Sequence, residues 1–494
     1  MGQIRGFLVL FVVFALVFAT RVGFNIYPEH FSDSESYYIL RQVESIKTTG
    51  VPIQEDRLGY EGKAATALPA YDYLLAGASL LGDLFAFRIL PALLATGLAI
   101  AVYFTALEVV RSSTLAAISG FFAGFIPELM RLTTNSLTKH NLTLLLFVLS
   151  IYYLIRLEKT KAALPWLILS SMLLTMFSPF AIIFVFVVWV YLGMLKIQGL
   201  EIQPKSFEFM LFITFLVLVV NHLAIIQTGI QTGIQGIVAS LQGSTVSGYG
   251  INWVSLLSGI NVVVLLLGIW GAYLALTKET KKREAALFIS IALAIILMGL
   301  FGVLDLSIVL CALGVTFSIT AAYSLESIIE YFAKLRLSGH LLLFGFFLVI
   351  LAPVALSGLY EGLDRADASV QASDVAALLW LKNNSGSYSV VLAPVEYGHL
   401  ITHFADRRDM IDTNQIIAKE AEQRIREVSL VYTTQFETEA MKILDRYNVN
   451  YILLNPEIAS RFKISGLGYA NDKECFDLVY NRTMEIYWVK CRLS

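Results

Sequence analysis

Charge is scarce in this chain: Asp, Glu, Lys and Arg make up 15% of its 494 residues, against about 25% in an ordinary soluble domain. That shortage excludes a water-soluble fold over the whole length. Cysteine is scarcer still, with three residues in all, too few to staple a chain of this size, so a disulfide framework is excluded as well. The formal net charge of −2 leaves no basic surface to hold a polyanion, and nucleic acid is not an expected partner. Nucleotide and metal signatures of recognisable spacing are also missing: there is no P-loop, no G-x-G-x-x-G between a strand and a helix, no H-E-x-x-H and no C-x-x-C.

What remains is apolar, with 57% hydrophobic residues and a mean hydropathy of +0.70. Its distribution is uneven. Residues 1–360 hold 40 charged side chains, 11% of that stretch, whereas residues 361–494 hold 34, or 25%. The first part reads as a polytopic membrane domain and the second as a soluble domain of 134 residues, long enough to bury its own core. A window of about 19 residues finds eleven apolar runs, at 4–22, 87–110, 113–130, 141–156, 164–179, 181–196, 207–229, 254–276, 285–303, 306–326 and 338–359. The first follows Arg5 but has no A-x-A-like cleavage site after it, so it reads as a retained helix rather than a signal peptide.

Alternate connections carry twelve basic residues: Arg111, Arg156, Lys159, Lys161, Lys196, Lys205, Lys278, Lys281, Lys282, Arg283, Lys334 and Arg336. By the positive-inside rule that side is cytoplasmic, together with the N-terminus. An odd number of spans then places residues 361–494 outside, with the long first loop 25–86, which holds nine acidic residues against four basic ones. The outer loop 230–253 has no formal charge and is rich in Gly, Gln, Ser and Thr, a composition of flexible turns. In the tail, helical patterns at 371–383, 397–404, 415–430 and 436–447 alternate with β-rich runs at 387–393 and 449–454. A closing hairpin has Asn481 and Arg482 near its turn and Cys475 and Cys491 at its ends; the two cysteines read equally well as a disulfide or as free thiols.

Polar residues that could carry chemistry gather at the outer edges. In FSDSESYYILR, Asp33 and Glu35 could share a divalent cation or act as acid and base, or be a solvated acidic loop. In PELMRLTTNSLTKHN, Arg131, Lys139 and His140 are cations in a short outer loop, against the charge bias, suited to a phosphate. In PVEYGHLITHFADRRDMID, Glu396, Tyr397, His399, His403, Asp406, Arg407 and Arg408 crowd a strand end and the helix after it, where His399 and His403 share a helical face at i, i+4. The ordinary reading of that last group is a polar domain surface. Three sequons, Asn141-Leu142-Thr143, Asn383-Asn384-Ser385 and Asn481-Arg482-Thr483, all fall on the expected outer side.

The order of these motifs resembles the catalytic subunit of asparagine-linked oligosaccharyltransferases, a branch of the C-type membrane glycosyltransferases. Asp33-Ser34-Glu35-Ser36-Tyr37-Tyr38 followed by Arg41 is similar to the acidic first-loop motif, two aromatics and an Arg included. Asn135 to His140 matches the second motif in its D-x-H form, with Thr138 where the Asp stands. Thr245-Val246-Ser247-Gly248 followed by Trp253 is similar to T-I/V-x-E with its Trp, Gly248 replacing the Glu. Pro394-Val395-Glu396-Tyr397-Gly398 takes the place of W-W-D-Y-G, without its tryptophans.

The resemblance implies a polytopic α-helical membrane protein of about 11 to 13 transmembrane helices (residues 1–360) with a C-terminal extracytoplasmic α/β domain (361–494). It implies transfer of a sugar or glycan from a polyprenyl (pyro)phosphate donor to a protein asparagine, or to a glycan or lipid, in the cell membrane. Asp33 and Glu35 are the expected catalytic residues and, with His140, the expected ligands of Mg²⁺ or Mn²⁺. Arg131, Lys139 and His140 are expected to face the donor phosphate, and Glu396, Tyr397, Gly398 and Thr245 to border the acceptor cleft. A non-catalytic lipid-glycan-binding relative is the alternative, favoured by Thr138 and Gly248. A transporter would need ionisable groups at mid-membrane, for which the spans offer chiefly Asn221, His222 and Glu108.

Overall fold

The computed structural model describes residues 2–59, 63–64, 68–202, 204–228, 253–278, 281–301, 303–334, 339–414, 420–470 and 473–492. The chain separates into two compact units. One comprises Met1–Pro28, Leu68–Ile226 and Ser240–Asp367, the other Glu29–Ala67, Gln227–Ala239 and Ala368–Ser494. The first loop, expected to go with the membrane part, is thus grouped mostly with the carboxy-terminal residues.

The first unit is a multi-pass helical bundle. Among the described residues seven helices are long and apolar enough to cross a membrane, or eight if the bent pair Ser113–Gly124 and Pro127–Thr133 is one span. Three shorter apolar helices, Lys161–Phe177, Ala181–Ile197 and Val262–Thr277, complete it, so each of the eleven apolar runs has a helical counterpart. The bend of 50° in the pair falls beside Pro127, which cannot donate the hydrogen bond that a continuous helix would need there.

Small residues set the packing. A Cβ on Gly271 would stand 1.9 Å from the Thr320 carbonyl oxygen, so only glycine lets Val262–Thr277 lie this close to Leu306–Lys334. Across that contact Thr320 Oγ1 donates to the Gly268 carbonyl (2.9 Å) and Ser324 Oγ to that of Leu267 (2.7 Å), the small-residue and hydroxyl contacts that hold helices together in lipid. Basic residues assigned to the cytoplasmic side meet acids at helix ends: Arg156 and Lys159 pair with Glu108, Arg283 with Glu158, and Lys278 and Lys281 with Glu326. Glu108 therefore sits near the end of Leu90–Val110, paired with two cations. Asn221 donates to the Val217 carbonyl of its own helix at 2.8 Å.

The second unit is built on a five-stranded sheet in the order Arg408–Asp409, Val390–Leu392, Val449–Leu454, Glu485–Val489, Phe476–Asn481. The first three strands run parallel and the last two add as an antiparallel hairpin. Helices Ala372–Asn384, Ala421–Thr433 and Glu437–Arg446 realise the sequence pattern, apart from 415–419, outside the described residues. The edge strand Arg408–Asp409 and the helix Pro456–Phe462 were not legible in it. Cys475 and Cys491 are joined as a disulfide across the hairpin ends, 16 residues apart, while Cys311 is free and buried.

Within this unit the helix Ser34–Thr49 docks through aromatic rings. Tyr37 meets His403 and Phe404 with ring centroids 5.3 and 5.0 Å apart, and Tyr38 meets His399 at 5.0 Å. The backbone N–H of Asp409 donates to the Leu58 carbonyl (3.0 Å), and that of Val370 to Phe31 (3.2 Å), tying the loop to the domain at both ends. Burial, helped by the positive charges of Arg41 and Lys382, pushes the His403 imidazole down to about 4 from its ordinary 6.5.

Two measurements check this unit. Below its ordinary value the unfolded chain binds a proton that folded His403 refuses, so its contribution to stability is complete above about pH 6.5 and is lost as pH falls towards about 4. The purified protein should lose on the order of 1–2 kcal/mol between pH 7 and pH 5 from this group, and His403→Phe should flatten that part of the melting-temperature profile; an unchanged profile contradicts the burial. For the disulfide, denatured protein should take up maleimide at Cys311 alone before reduction and at all three cysteines after it. Labelling at Cys475 without reductant would contradict the bond, whose loss should cost about 2–3 kcal/mol for a loop of this size.

Candidate functional sites

The carboxylates of the first loop are held by helix geometry. Asp33 is the N-cap of Ser34–Thr49: its carboxylate accepts from the Ser36 N–H at 2.9 Å and from Ser36 Oγ at 2.7 Å. That orients both oxygens and leaves each a further lone pair. Glu35 follows in the first turn, where the helix dipole favours a negative charge. Both side chains are half-buried. Two turns on, Arg41 makes a bidentate pair with Asp56, at 2.9 and 2.8 Å. Burial opposes its charge, but the hydrogen bond and charge of Asp56, with the charge of Asp409, hold the guanidinium above its usual value. The acidic pair, the two tyrosines and the arginine are one device: aromatics and a salt bridge fix a helix, and the helix presents its acids.

The segment expected to border the acceptor divides by role. Tyr397 is buried, accepts from Asn455 Nδ2 at 2.7 Å and donates to Glu457 Oε2 at 2.8 Å; Asn455 also bonds Asp374 at 3.0 Å. Burial pushes the Tyr397 hydroxyl well up and raises Asp374 above the usual carboxylate range. Gly398 admits no side chain: a Cβ there would stand 2.4 Å from Asp412 Cβ and 2.5 Å from the Ile411 carbonyl oxygen. Tyr397 and Gly398 are framework. Glu396 is exposed and paired with Arg461.

His399 and His403 do share a face, and that face meets Tyr38 and Tyr37. His399 is fully buried, its Nδ1 3.8 Å from Asp412 Oδ2 and its Nε2 3.4 Å from Asn414 Nδ2. Arg407 is spent on the Lys382 and Ser385 carbonyls and on Ser385 Oγ. Among the described residues no group of three or more His, Cys, Asp or Glu is placed to hold a metal. Asp33 and Glu35 belong to the second unit and His140 to the first.

In the helical unit Lys139 and His140 line a small cavity of about 10 Å³, with Thr143, Ser178, Phe180, Leu304, Ile308 and Cys311 among its walls. Arg131 turns elsewhere: its Nε donates to Glu128 at 3.1 Å and its terminal nitrogen to Ser307 Oγ at 3.0 Å. The loop before His140 is buried. Among the described residues the hydroxyls of Thr134, Ser136 and Thr138 and the Oδ1 of Asn141 have no hydrogen bond, an arrangement that costs free energy until a polar group arrives. Thr245 and Gly248 lie outside the described residues.

Sequence reasoning missed what supports this loop. Arg21, 1% exposed, donates to Thr133 Oγ1 (2.6 Å) and to the Gly124 carbonyl (3.3 Å). Asn25 accepts from the Asn135 N–H at 2.8 Å and donates to the Arg88 carbonyl at 3.0 Å. The available signal was an arginine at the end of the first apolar run, since an ionisable group in a span is rarely idle.

No family model matches the chain. A dolichyl-phosphooligosaccharide-protein glycotransferase of Archaeoglobus fulgidus is 30% identical over 171 residues, 31% of this chain and 29% of the relative, so the match spans under a third of that protein. Among solved structures, the oligosaccharyltransferase of Archaeoglobus fulgidus in its apo form superposes with a TM-score of 0.71 at 13% identity, over 90% of this chain and 69% of that one. ArnT from Cupriavidus metallidurans does so with a TM-score of 0.58 at 11% identity, over 98% of both chains. Other structures of these proteins hold zinc and sulfate, dolichol-phosphate with an inhibitory peptide, or undecaprenyl phosphate. Identities this low speak for the fold alone: the chain has the architecture shared by ArnT and the archaeal oligosaccharyltransferase.

Proposed function

We propose that this protein is a membrane glycosyltransferase that moves a sugar or glycan from a polyprenyl (pyro)phosphate carrier to an acceptor on the extracytoplasmic face. The observation that carries the reading is the capped acidic pair, Asp33 and Glu35, on a helix that Tyr37 and Tyr38 pack against His399, His403 and Phe404, just after Glu396 to Gly398, and that Arg41 pins to Asp56. The fold shared with polyprenyl-phosphate-binding proteins supports it. The orientation rests on two further supports: the basic residues of the alternate connections, and a disulfide in the carboxy-terminal unit, which belongs in an oxidising compartment.

A sugar–phosphate bond is already activated, so the protein has to place the acceptor and stabilise the departing charge. Lys139 and His140, lining a cavity beside unpartnered hydroxyls, are suited to the donor phosphate. Arg131, neutralised by Glu128, contributes less to it than expected. As the acceptor attacks the anomeric carbon, the carbon–oxygen bond to phosphate breaks, phosphate leaves with the electron pair, and Asp33 or Glu35 takes the acceptor's proton. Two carboxylates that share a hard cation with substrate phosphate and water are the usual way Mg²⁺ or Mn²⁺ is held, and Asp33 and Glu35 fit that donor set. A cation there would screen the phosphate charge.

Thr138, with a buried unpartnered hydroxyl where the resemblance calls for a carboxylate, favours a second reading, a protein that binds the lipid-linked glycan without transferring it. One experiment separates the two. In membranes supplied with labelled polyprenyl-phosphate-linked sugar, Asp33→Asn, which keeps the helix cap, and Glu35→Gln should each lower transfer by roughly 100-fold or more. Lys139→Ala should raise the donor KM. Undiminished transfer in both carboxylate variants overturns the assignment, and donor binding without transfer by the unaltered protein selects the second reading.

A further inference from the structure

The three sequons are alike in sequence and unlike in presentation. Asn141 is 2% exposed, its Nδ2 donates to the Pro91 carbonyl at 3.3 Å, and Thr143 is bonded to the Lys139 carbonyl. Neither end of that tripeptide can be reached without opening the bundle. In the second, Asn383 is exposed on the last turn of Ala372–Asn384, but Ser385 Oγ donates to the Leu381 carbonyl and accepts from Arg407 Nε at 2.7 Å. Its hydroxyl is spent inside the domain. The third is different throughout. Asn481 ends the strand Phe476–Asn481 and Thr483 lies in the turn that leads to Glu485–Val489; Asn481, Arg482 and Thr483 are all exposed. Among the described residues no hydrogen bond engages the Asn481 amide or the Thr483 hydroxyl, while the Arg482 guanidinium leans on the Tyr480 ring, 5.9 Å from its centroid. The same hairpin is closed at its base by the Cys475–Cys491 disulfide.

We infer that Asn481 carries an N-linked glycan, and that the sequons at Asn141 and Asn383 stay unmodified. Attachment forms a bond from Asn481 Nδ2 to the anomeric carbon of a glycan on a polyprenyl (pyro)phosphate. The carbon–oxygen bond to phosphate breaks, the phosphate leaves with the electron pair, and the amide gives up one proton to a base. A free amide and a free hydroxyl two residues on, displayed together on a turn, are what such a reaction requires of its acceptor. The inference rests on the proposed extracytoplasmic placement of the carboxy-terminal unit and not on which enzyme performs the transfer.

The test is glycopeptide mass spectrometry on the full-length protein from its own membranes, with a mobility shift read in parallel. The Asn481 peptide should carry glycan; Asn481→Gln and Thr483→Ala should each abolish the shift, and Thr483→Ser should keep it. An unmodified Asn481 peptide, or glycan on Asn141 or Asn383, overturns the inference. Labelling of the reduced Cys475 and Cys491 in intact cells by an impermeant maleimide runs alongside. Labelled cysteines with a bare Asn481 defeat the inference and leave the placement standing, whereas protected cysteines defeat the placement itself.

Discussion

The bidentate pair between Arg41 and Asp56, with the rings of Tyr37 and Tyr38 about one turn before Arg41 on the same helix, is the contact on which the proposed chemistry depends. A charged group this buried is tolerable only when it is paired and hydrogen-bonded, and Asp56 and Asp409 supply that for Arg41. Once the pair is made, Ser34–Thr49 can neither roll nor slide, and the acids at its first turn point where the helix points them. The acidic motif is therefore as much a docking motif as a chemical one. Its aromatic and basic positions hold the helix, and its carboxylates are what the helix delivers.

The membrane unit meets a different constraint. In lipid every polar group must find its partner within the protein, and the bundle complies almost everywhere: serines and threonines return to their own helices, glycines bring Val262–Thr277 against Leu306–Lys334, and acids at helix ends collect the basic residues. The stretch from Thr134 to Asn141 departs from this. The buried hydroxyls of Thr134, Ser136 and Thr138 and the Oδ1 of Asn141 have no hydrogen bond among the described residues, although Arg21, Asn25 and Arg88 anchor the stretch. The proposed donor-phosphate role draws on these hydroxyls, which can donate to acceptor oxygens, beside the Lys139 and His140 that line a small cavity.

Much of this was legible from residue patterns. Each of the eleven apolar runs met a helix because the lipid imposes a length and a composition that survive sequence divergence. β-rich runs in the tail found the strands at Val390–Leu392 and Val449–Leu454, since strands buried on both faces concentrate Val, Ile, Leu and Tyr, and the closing hairpin was found with them. The edge strand Arg408–Asp409 is only two residues long and carries two charges, so no pattern announces it. At the sites, Asp33 and Glu35 were visible as a motif, but the division of labour was not. Tyr397 and Gly398 read as parts of an acceptor cleft, yet one closes a buried hydrogen-bond network and the other makes room for Ile411 and Asp412. Arg131 read as a free cation because Glu128 is its partner only once the short helix Pro127–Thr133 has formed. Tertiary partners of this kind leave no mark on a one-dimensional pattern.

If the tyrosines position the carboxylates for sugar transfer, activity must depend on the Tyr38 ring rather than on its hydroxyl. The decisive measurement is transfer from polyprenyl-phosphate-linked sugar, with donor binding read in the same membranes, for Tyr38→Ala and Tyr38→Phe. The account predicts that Tyr38→Ala loses roughly 100-fold in turnover through misplacement of the acids while donor affinity holds, and that Tyr38→Phe restores it. Equal turnover in the unaltered protein and Tyr38→Ala would contradict it.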